Sequence, residues 1–310
     1  MSNRNDLLLD FRLAVMEQHL GLYGIVLRQH GEIIAEHKWR VDEDVHLYSV
    51  SKTFISMAVG IAVNEGYFKL SDRVIDFFPE LAPEQPDQQL LKMTVKHLLT
   101  MGTGHVCCPM INAFSSGLEP TNWVKLFFDT PLVYEPGSHF EYNNCATYML
   151  SAIIKNKTGI NARDYLIPRI FTPLHIFNPQ WEICPEGVTK GFIGLYLTTE
   201  KLSRFGQLLL NRGEWNGKQL IPAQYIDEAT KPQIDNSDFN PPWATTDNHQ
   251  GYGYQIWINS YPNSYRLDGL YGQYSIVFPK KDAVVTITAH QAGNQSVILD
   301  LVWNTIADRL

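Results

Sequence analysis

The sequence predicts an α/β (α+β) fold: one antiparallel sheet formed by both chain ends, flanked by terminal helices, with a mainly helical lobe inserted between them. Three observations predict it. Strand-like segments cluster near each terminus, amphipathic helical patterns flank them, and roughly residues 67 to 230 read as helices and loops. With 310 residues and 45% hydrophobic content the chain can bury a full core. A single domain over 1-310 is expected, with a sheet lobe of about 1-66 and 231-310 and a helical lobe of about 67-230.

Leu7 to His19 carries apolar residues at helical spacing. Tyr23 to Gln29 and Glu32 to His37 then read as two strands joined at His30-Gly31, a tight turn. From Ser49 an apolar run reaches Gly66, the length of a core helix, and Gly66 suits the left-handed position just past its end. Phe54, Ile55, Met57, Val59, Ile61 and Val63 make this helix apolar nearly all round, which predicts burial. Thr94 to Met101, Asn144 to Lys157 and Thr199 to Arg212 are the clearest helices of the inserted lobe. Two long loops, Gly102 to Thr121 and Pro232 to Gln250, are rich in turn residues and aromatics, and such loops often line a site. Strands are expected at Gly253 to Ile258, Tyr274 to Phe278 and Ala283 to Ala289, and a closing helix at Gln295 to Leu310.

A net charge of -7 without a basic run argues against a nucleic-acid or anionic-membrane partner. No stretch approaches the roughly 18 apolar residues of a membrane span. The first ten residues lack the features of a signal peptide, so a cytoplasmic location is expected. Cys107, Cys108, Cys145 and Cys184 make no zinc pattern with the histidines; neither a metal nor a cofactor is expected. Cys107-Cys108 is a poor redox pair, because adjacent cysteines bridge badly.

Ser49-Val-Ser-Lys52 is the one place where a lysine follows a serine by three residues. On a helix this spacing brings the Lys52 ammonium within reach of the Ser49 hydroxyl, and the helix start offers unpaired N–H groups to a developing oxyanion. Chance alone supplies about one such pair in a chain of this length. The pair at the mouth of an apolar helix is what needs a reason. A third group must pass a proton to the leaving atom, and Tyr142, in a turn-rich loop that feeds a helix, is the best candidate. Tyr261-Pro-Asn263 repeats the Tyr-X-Asn spacing, but in a surface turn with no helix behind it.

With these residues in place, the chain resembles the β-lactamase and penicillin-binding-protein superfamily of serine hydrolases. It is most similar there to the class C-related esterases, D-aminopeptidases and 6-aminohexanoate-dimer hydrolases. Ser49 and Lys52 match the family's Ser-X-X-Lys, and Tyr142 and Asn144 its Tyr-X-Asn. Lys96 to Met101, Tyr134 to Gly137, Phe205 to Asn211 and Trp215 to Lys218 resemble its framework in the right order, so the similarity runs from about Tyr23 to the C-terminus. The family's third element, Lys-Thr-Gly or His-Thr-Gly on a strand, has a decoy at Lys157-Thr158-Gly159. That copy ends the helix following Tyr142, about 20 Å away at 1.5 Å per residue. The positional counterpart is Leu267-Asp268-Gly269. Leu267 cannot hold a carboxylate as the family's lysine does. Asp268 would repel one if it faces the cleft, favouring a cationic or neutral substrate, or else it points into solvent.

The resemblance implies a small ester or amide substrate and an acyl-enzyme on Ser49, with weak or no β-lactam hydrolysis. Either Lys52 or Tyr142 takes the serine proton; Tyr142 then serves the leaving group and the deacylating water. Asn144 orients Lys52 and the substrate, Asp268 and Gly269 contact substrate, and the backbone N–H groups of Ser49 and Leu270 form the oxyanion hole. A D-amino-acid peptidase, a true β-lactamase and a catalytically quiet sensor or scaffold are the alternatives, and oligomeric state is open. Retention of all four polar residues argues against the quiet relative. No Gly-X-Ser-X-Gly elbow, His-Glu-X-X-His or Walker pattern is present. His97 reads as a structural histidine and Cys145 as a small buried residue. For Trp123, Trp243, Tyr252 and Tyr271, pocket wall and core are equal readings.

Overall fold

The computed structural model describes residues 7–110 and 122–310. The chain opens with helix α1 (Leu9–Glu17) and the hairpin β1 (Leu22–Gln29) and β2 (Glu32–Lys38), then a short β3 (Val45–His46). A 3-10 turn at Tyr48–Val50 leads into α2 (Ser51–Asn64). The helical lobe holds α3 (Val95–Leu99), α4 (Trp123–Asp129), α5 (Asn144–Thr158) and α6 (Ala162–Leu166). Next come β4 (Gln180–Trp181), β5 (Leu195–Leu197), α7 (Thr199–Leu210), the hairpin β6 (Glu214–Trp215) and β7 (Lys218–Gln219), and α8 (Ala223–Ala229). The chain returns through β8 (Trp257–Ile258), β9 (Tyr265–Gly269), β10 (Gln273–Phe278) and β11 (Ala283–Ala289), and closes with α9 (Val297–Thr305).

Six strands form one antiparallel sheet in the order β2-β1-β11-β10-β9-β8, so the chain ends meet in its interior, where Ile25 pairs with Ile287. Alternation sorts its side chains. Tyr274, Ile276, Phe278, Val285 and Ile287 face one way into a core with Phe11, Val15, Ile298 and Val302 of the terminal helices. Val277 and Val284 face the other way, toward α7 and the larger core around α2 and α5. Gly206 lets α7 close on the sheet: a Cβ there would meet Ser275 Oγ at 2.4 Å.

Helix α2 is buried on all sides, and its hydroxyls are paired: Thr53 donates to the Gln255 carbonyl and Ser56 meets Tyr225. Gly66 ends the segment at φ 81°, the left-handed conformation expected there.

Three local expectations differ from the structure. Gly253 to Ile258 is not one strand, because Gln255 turns at φ 60° and Gly253 lies against the Ala229 carbonyl, leaving only Trp257–Ile258 paired. Gln255 instead ties α3 to α5, donating to the Leu98 and Leu99 carbonyls and accepting from Thr147. Tyr265–Gly269 is a strand whose Tyr-Arg-Leu-Asp alternation is too short a run to stand out by itself. Thr94 to Met101 shortens to Val95–Leu99, with Thr94 and His97 forming a reciprocal cap. The Gly102 to Thr121 loop lies outside the described residues from 111 to 121.

Candidate active site

Ser49 sits on the 3-10 turn and Lys52 in the first turn of α2, so one turn of chain separates them as the spacing requires. Lys52 Nζ lies 2.9 Å from Ser49 Oγ and 3.1 Å from the Phe192 carbonyl. The amine is 1% exposed, and burial lowers its pKa to about 7, although Cys108 and Asp268 favour the charged form. Phe192 was not legible in the sequence. Its carbonyl reaches Lys52 because Gly191, at φ 76°, packs the turn against Ile55 and Ser151.

Tyr142 is carried by the loop before α5. Glu141 N–H donates to the Met101 carbonyl, Gly137 N–H to that of Gly102, and Asn143 caps α5 by accepting from Cys145 N–H. The Tyr142 ring stacks on Trp257 at 5.5 Å, and Lys52 Nζ lies 4.9 Å from its centroid. Burial pushes the phenol pKa up, while an interaction with the Ser49 hydroxyl pulls it down and is the weaker effect. Asn144 is the first residue of α5, half-buried, with no side-chain hydrogen bond to a described residue, so the expected hydrogen bond orienting Lys52 is not formed; Lys52 Nζ is held by Ser49 and the Phe192 carbonyl instead.

Strand β9 brings the third element to the same place. A Cβ at Gly269 would meet the Leu47 carbonyl at 2.3 Å, so glycine is what lets β9 run against the segment that carries Ser49. Leu270 follows, 52% exposed beside the cleft. Tyr48 and Tyr271, which flank the Ser49 and Leu270 amides, both take positive φ (48° and 66°) and pack edge to face at 5.2 Å. Non-glycine residues hold that conformation only where surrounding contacts over-determine it. Here Gln295 accepts from Tyr271 N–H, and Tyr271 stacks on His290 at 4.4 Å.

Ser49 and Tyr142 open into a cleft of about 570 Å³. The loop from Pro232 to Gln250 supplies one wall through Trp243, Thr245 and Asn248, and Gln295 and Leu299 supply another. Asp268 faces this cleft rather than open solvent. Its carboxylate is 15% exposed and accepts from Arg266 Nε at 2.8 Å. Burial raises the Asp268 pKa, and Arg266 opposes that shift. Arg266, Trp257 and Gln295 were missed in the sequence. The period-2 spacing of 266 and 268 is the signal for Arg266, but only once β9 is recognised. Of the four aromatics with two readings, Trp243 lines the cleft and Tyr271 braces the loop after β9. Tyr252 is buried behind Tyr142, and Trp123 packs on Tyr148 in the core.

Lys157 to Gly159 closes α5, with Gly159 as its left-handed cap, so the decoy is a helix end. Tyr261 stacks on Trp303 and donates to Asp308, away from the cleft. The Cys108 thiol lies 4.0 Å from that of Cys145 rather than bridging to Cys107. Among the described residues no cluster of three or more His, Cys, Asp or Glu could hold a metal ion. Nor is any helix among them long and apolar enough to cross a membrane.

The Beta-lactamase family model matches residues 14–304. A protein named Beta-lactamase from Escherichia coli K12 is 24% identical over 221 residues, 68% of this chain and 56% of that protein. Esterase EstB of Burkholderia gladioli is 28% identical over 174 residues, 48% of this chain and 44% of its own. The chain thus spans about half the length of these curated relatives. The octameric penicillin-binding protein homologue from Pyrococcus abyssi superposes with a TM-score of 0.77 at 20% identity, covering 96% of this chain and 76% of that one. At that identity the likeness concerns the fold alone.

Proposed function

Since the chain belongs to the beta-lactamase family, we propose that it is a serine hydrolase acting on a small ester or amide through an acyl-enzyme on Ser49. One observation carries the reading: a fully buried amine, its pKa lowered to about 7, sits 2.9 Å from the Ser49 hydroxyl. Neutral Lys52 donates to the Phe192 carbonyl and turns its lone pair to the serine proton. The opposite shifts divide the roles: Lys52 is the general base, and Tyr142, held as a neutral phenol, is the proton donor.

Ser49 Oγ attacks the carbonyl as its proton passes to Lys52. The oxyanion is received by the backbone N–H groups of Ser49 and Leu270, and Tyr142 protonates the leaving group. Water then attacks the acyl-enzyme as Tyr142, left as a phenolate, takes back a proton from it, and Lys52 returns its proton to the departing Ser49 Oγ. Asn144, at the head of α5, orients the substrate. Strong β-lactam hydrolysis is not expected, because Leu267 is buried in the core and Asp268 presents a carboxylate where a cation would hold the lactam's own. The test is labelling with a fluorophosphonate followed by peptide mass spectrometry, with turnover of p-nitrophenyl butyrate and nitrocefin. Label on Ser49 and ester turnover well above nitrocefin turnover are expected; an unlabelled Ser49 contradicts the reading. An unlabelled Ser49 with no turnover is what a quiet scaffold would give.

A further inference from the structure

Resting on that serine-hydrolase reading, we propose that Asp268, held in place by Arg266, receives an ammonium or other N–H donor at the end of the substrate, so that the cleft selects amine-bearing esters and amides. Among the described residues lining the cleft, only Arg266 and Asp268 carry charge. Their order in depth decides which charge a substrate meets. The Arg266 side chain is 1% exposed and that of Asp268 15%, so the carboxylate stands in front of the guanidinium.

Arg266 is also committed elsewhere. Its Nη1 donates to the Asp247 carbonyl and to Asn259 Oδ1, while Nε holds Asp268 Oδ2. The other oxygen, Asp268 Oδ1, has only a 3.5 Å contact from Gln295 Nε2 and keeps acceptor capacity toward the cleft. Asp247 adds a second carboxylate behind the pair. Its own oxygens are taken by Ser260 and Trp303, so it contributes field rather than a contact. Two carboxylates against one guanidinium leave this end of the cleft net negative. An aromatic also lines the cleft: Trp243, 55% exposed, has its ring 6.3 Å from that of Tyr142, and an aromatic ring is compatible with a cationic guest. A substrate carboxylate at this end would face Asp268 first and be repelled.

The experiment uses p-nitrophenyl esters with one straight spacer ending in an ammonium, a methyl or a carboxylate, over several spacer lengths. At the best length the ammonium ester is expected to exceed the methyl ester about tenfold or more in kcat/KM, the scale of a charge-assisted hydrogen bond, with the carboxylate ester lowest. Asp268→Asn should bring the ammonium-to-methyl ratio close to one. Arg266→Lys keeps the charge but loses the fork. It should lower the ratio in the wild-type background and leave it unmoved in the Asp268→Asn background, a coupling that general loss of structure would not produce. A wild-type ratio near one at every length, with methyl ester still turned over through Ser49, overturns this inference and leaves the hydrolase reading standing. So does a ratio preserved in Asp268→Asn. No turnover and no label on Ser49 overturns both.

Discussion

In the proposed mechanism a buried amine must accept a proton, which couples activity to stability at Lys52. Its pKa is about 7 in the native state against an ordinary 10.5. Between those values the unfolded chain holds a proton that the native one lacks, so this group's contribution to stability rises with pH across that window. Below about 7 the native protein must bury an ammonium. Lys52→Met is therefore expected to stabilise the fold by about 1 to 2 kcal/mol at pH 6. The gain should shrink as pH rises toward 10, read by denaturant titration at several pH values. The same variant should lose at least about a hundredfold in kcat/KM. In the wild type, kcat/KM should climb with pH through about 7, as Lys52 loses its proton, and a flat profile between pH 5 and 8 would remove Lys52 from the base role. At this scale the sequence was informative. The Ser49 and Lys52 pairing was legible because a spacing of three becomes local geometry on a helix, whereas Tyr142 was picked from a turn-rich loop ahead of a helix and from its resemblance to Tyr-X-Asn. Phe192 and Arg266 were not, since a backbone carbonyl has no residue type and an arginine two places from an aspartate means something only on a strand.

Strand β9 and the turn before α2 matter as elements because the turn carries Ser49 and β9 leads directly into Leu270, the two residues whose amides are proposed for the oxyanion hole. Gly269 leaves no room for a side chain against the Leu47 carbonyl. Gly269→Ala should push β9 away and lower kcat roughly a hundredfold, the scale of losing one oxyanion donor, while KM for a neutral ester changes little. Tyr271→Ala removes the ring that meets both Tyr48 and His290, and should lower kcat in the same sense with a smaller effect. Unchanged kcat in both variants would detach these elements from the site. The long helices were legible in the sequence from periodicity and their glycine caps. β9 was not read from the residues: Tyr-Arg-Leu-Asp does alternate apolar and polar, but the run is only five residues long and follows a Pro/Asn/Ser turn, too short a pattern to stand out. Gly253 to Ile258 failed the other way, since its apolar content serves a buried turn locked by Gln255 rather than a strand.

The whole molecule is organised by a sheet in which an interior pair joins residues 22–29 to residues 283–289. Loop closure over that separation makes the sheet dependent on both lobes, and the site lies where β9 meets α2 and the loop before α5. Ile287, fully buried between the terminal helices and the sheet, illustrates the cost of weakening that join. Ile287→Ala should destabilise the protein by about 2 to 5 kcal/mol by chemical denaturation. A loss under 1 kcal/mol would mean that the chain ends contribute little to the fold. The terminal origin of the sheet was legible in the sequence from where the β-rich segments lie. The small β3-β5-β4 sheet was not, because its strands are two or three residues long and carry no period.

The pH dependence of Ser49 phosphonylation, followed by intact-mass spectrometry, addresses the activated serine without knowledge of any substrate. A single label on Ser49 is expected, its rate rising through about pH 7 and collapsing in Lys52→Met. A label on another residue, or a rate on Ser49 indifferent both to pH and to the loss of Lys52, would contradict it.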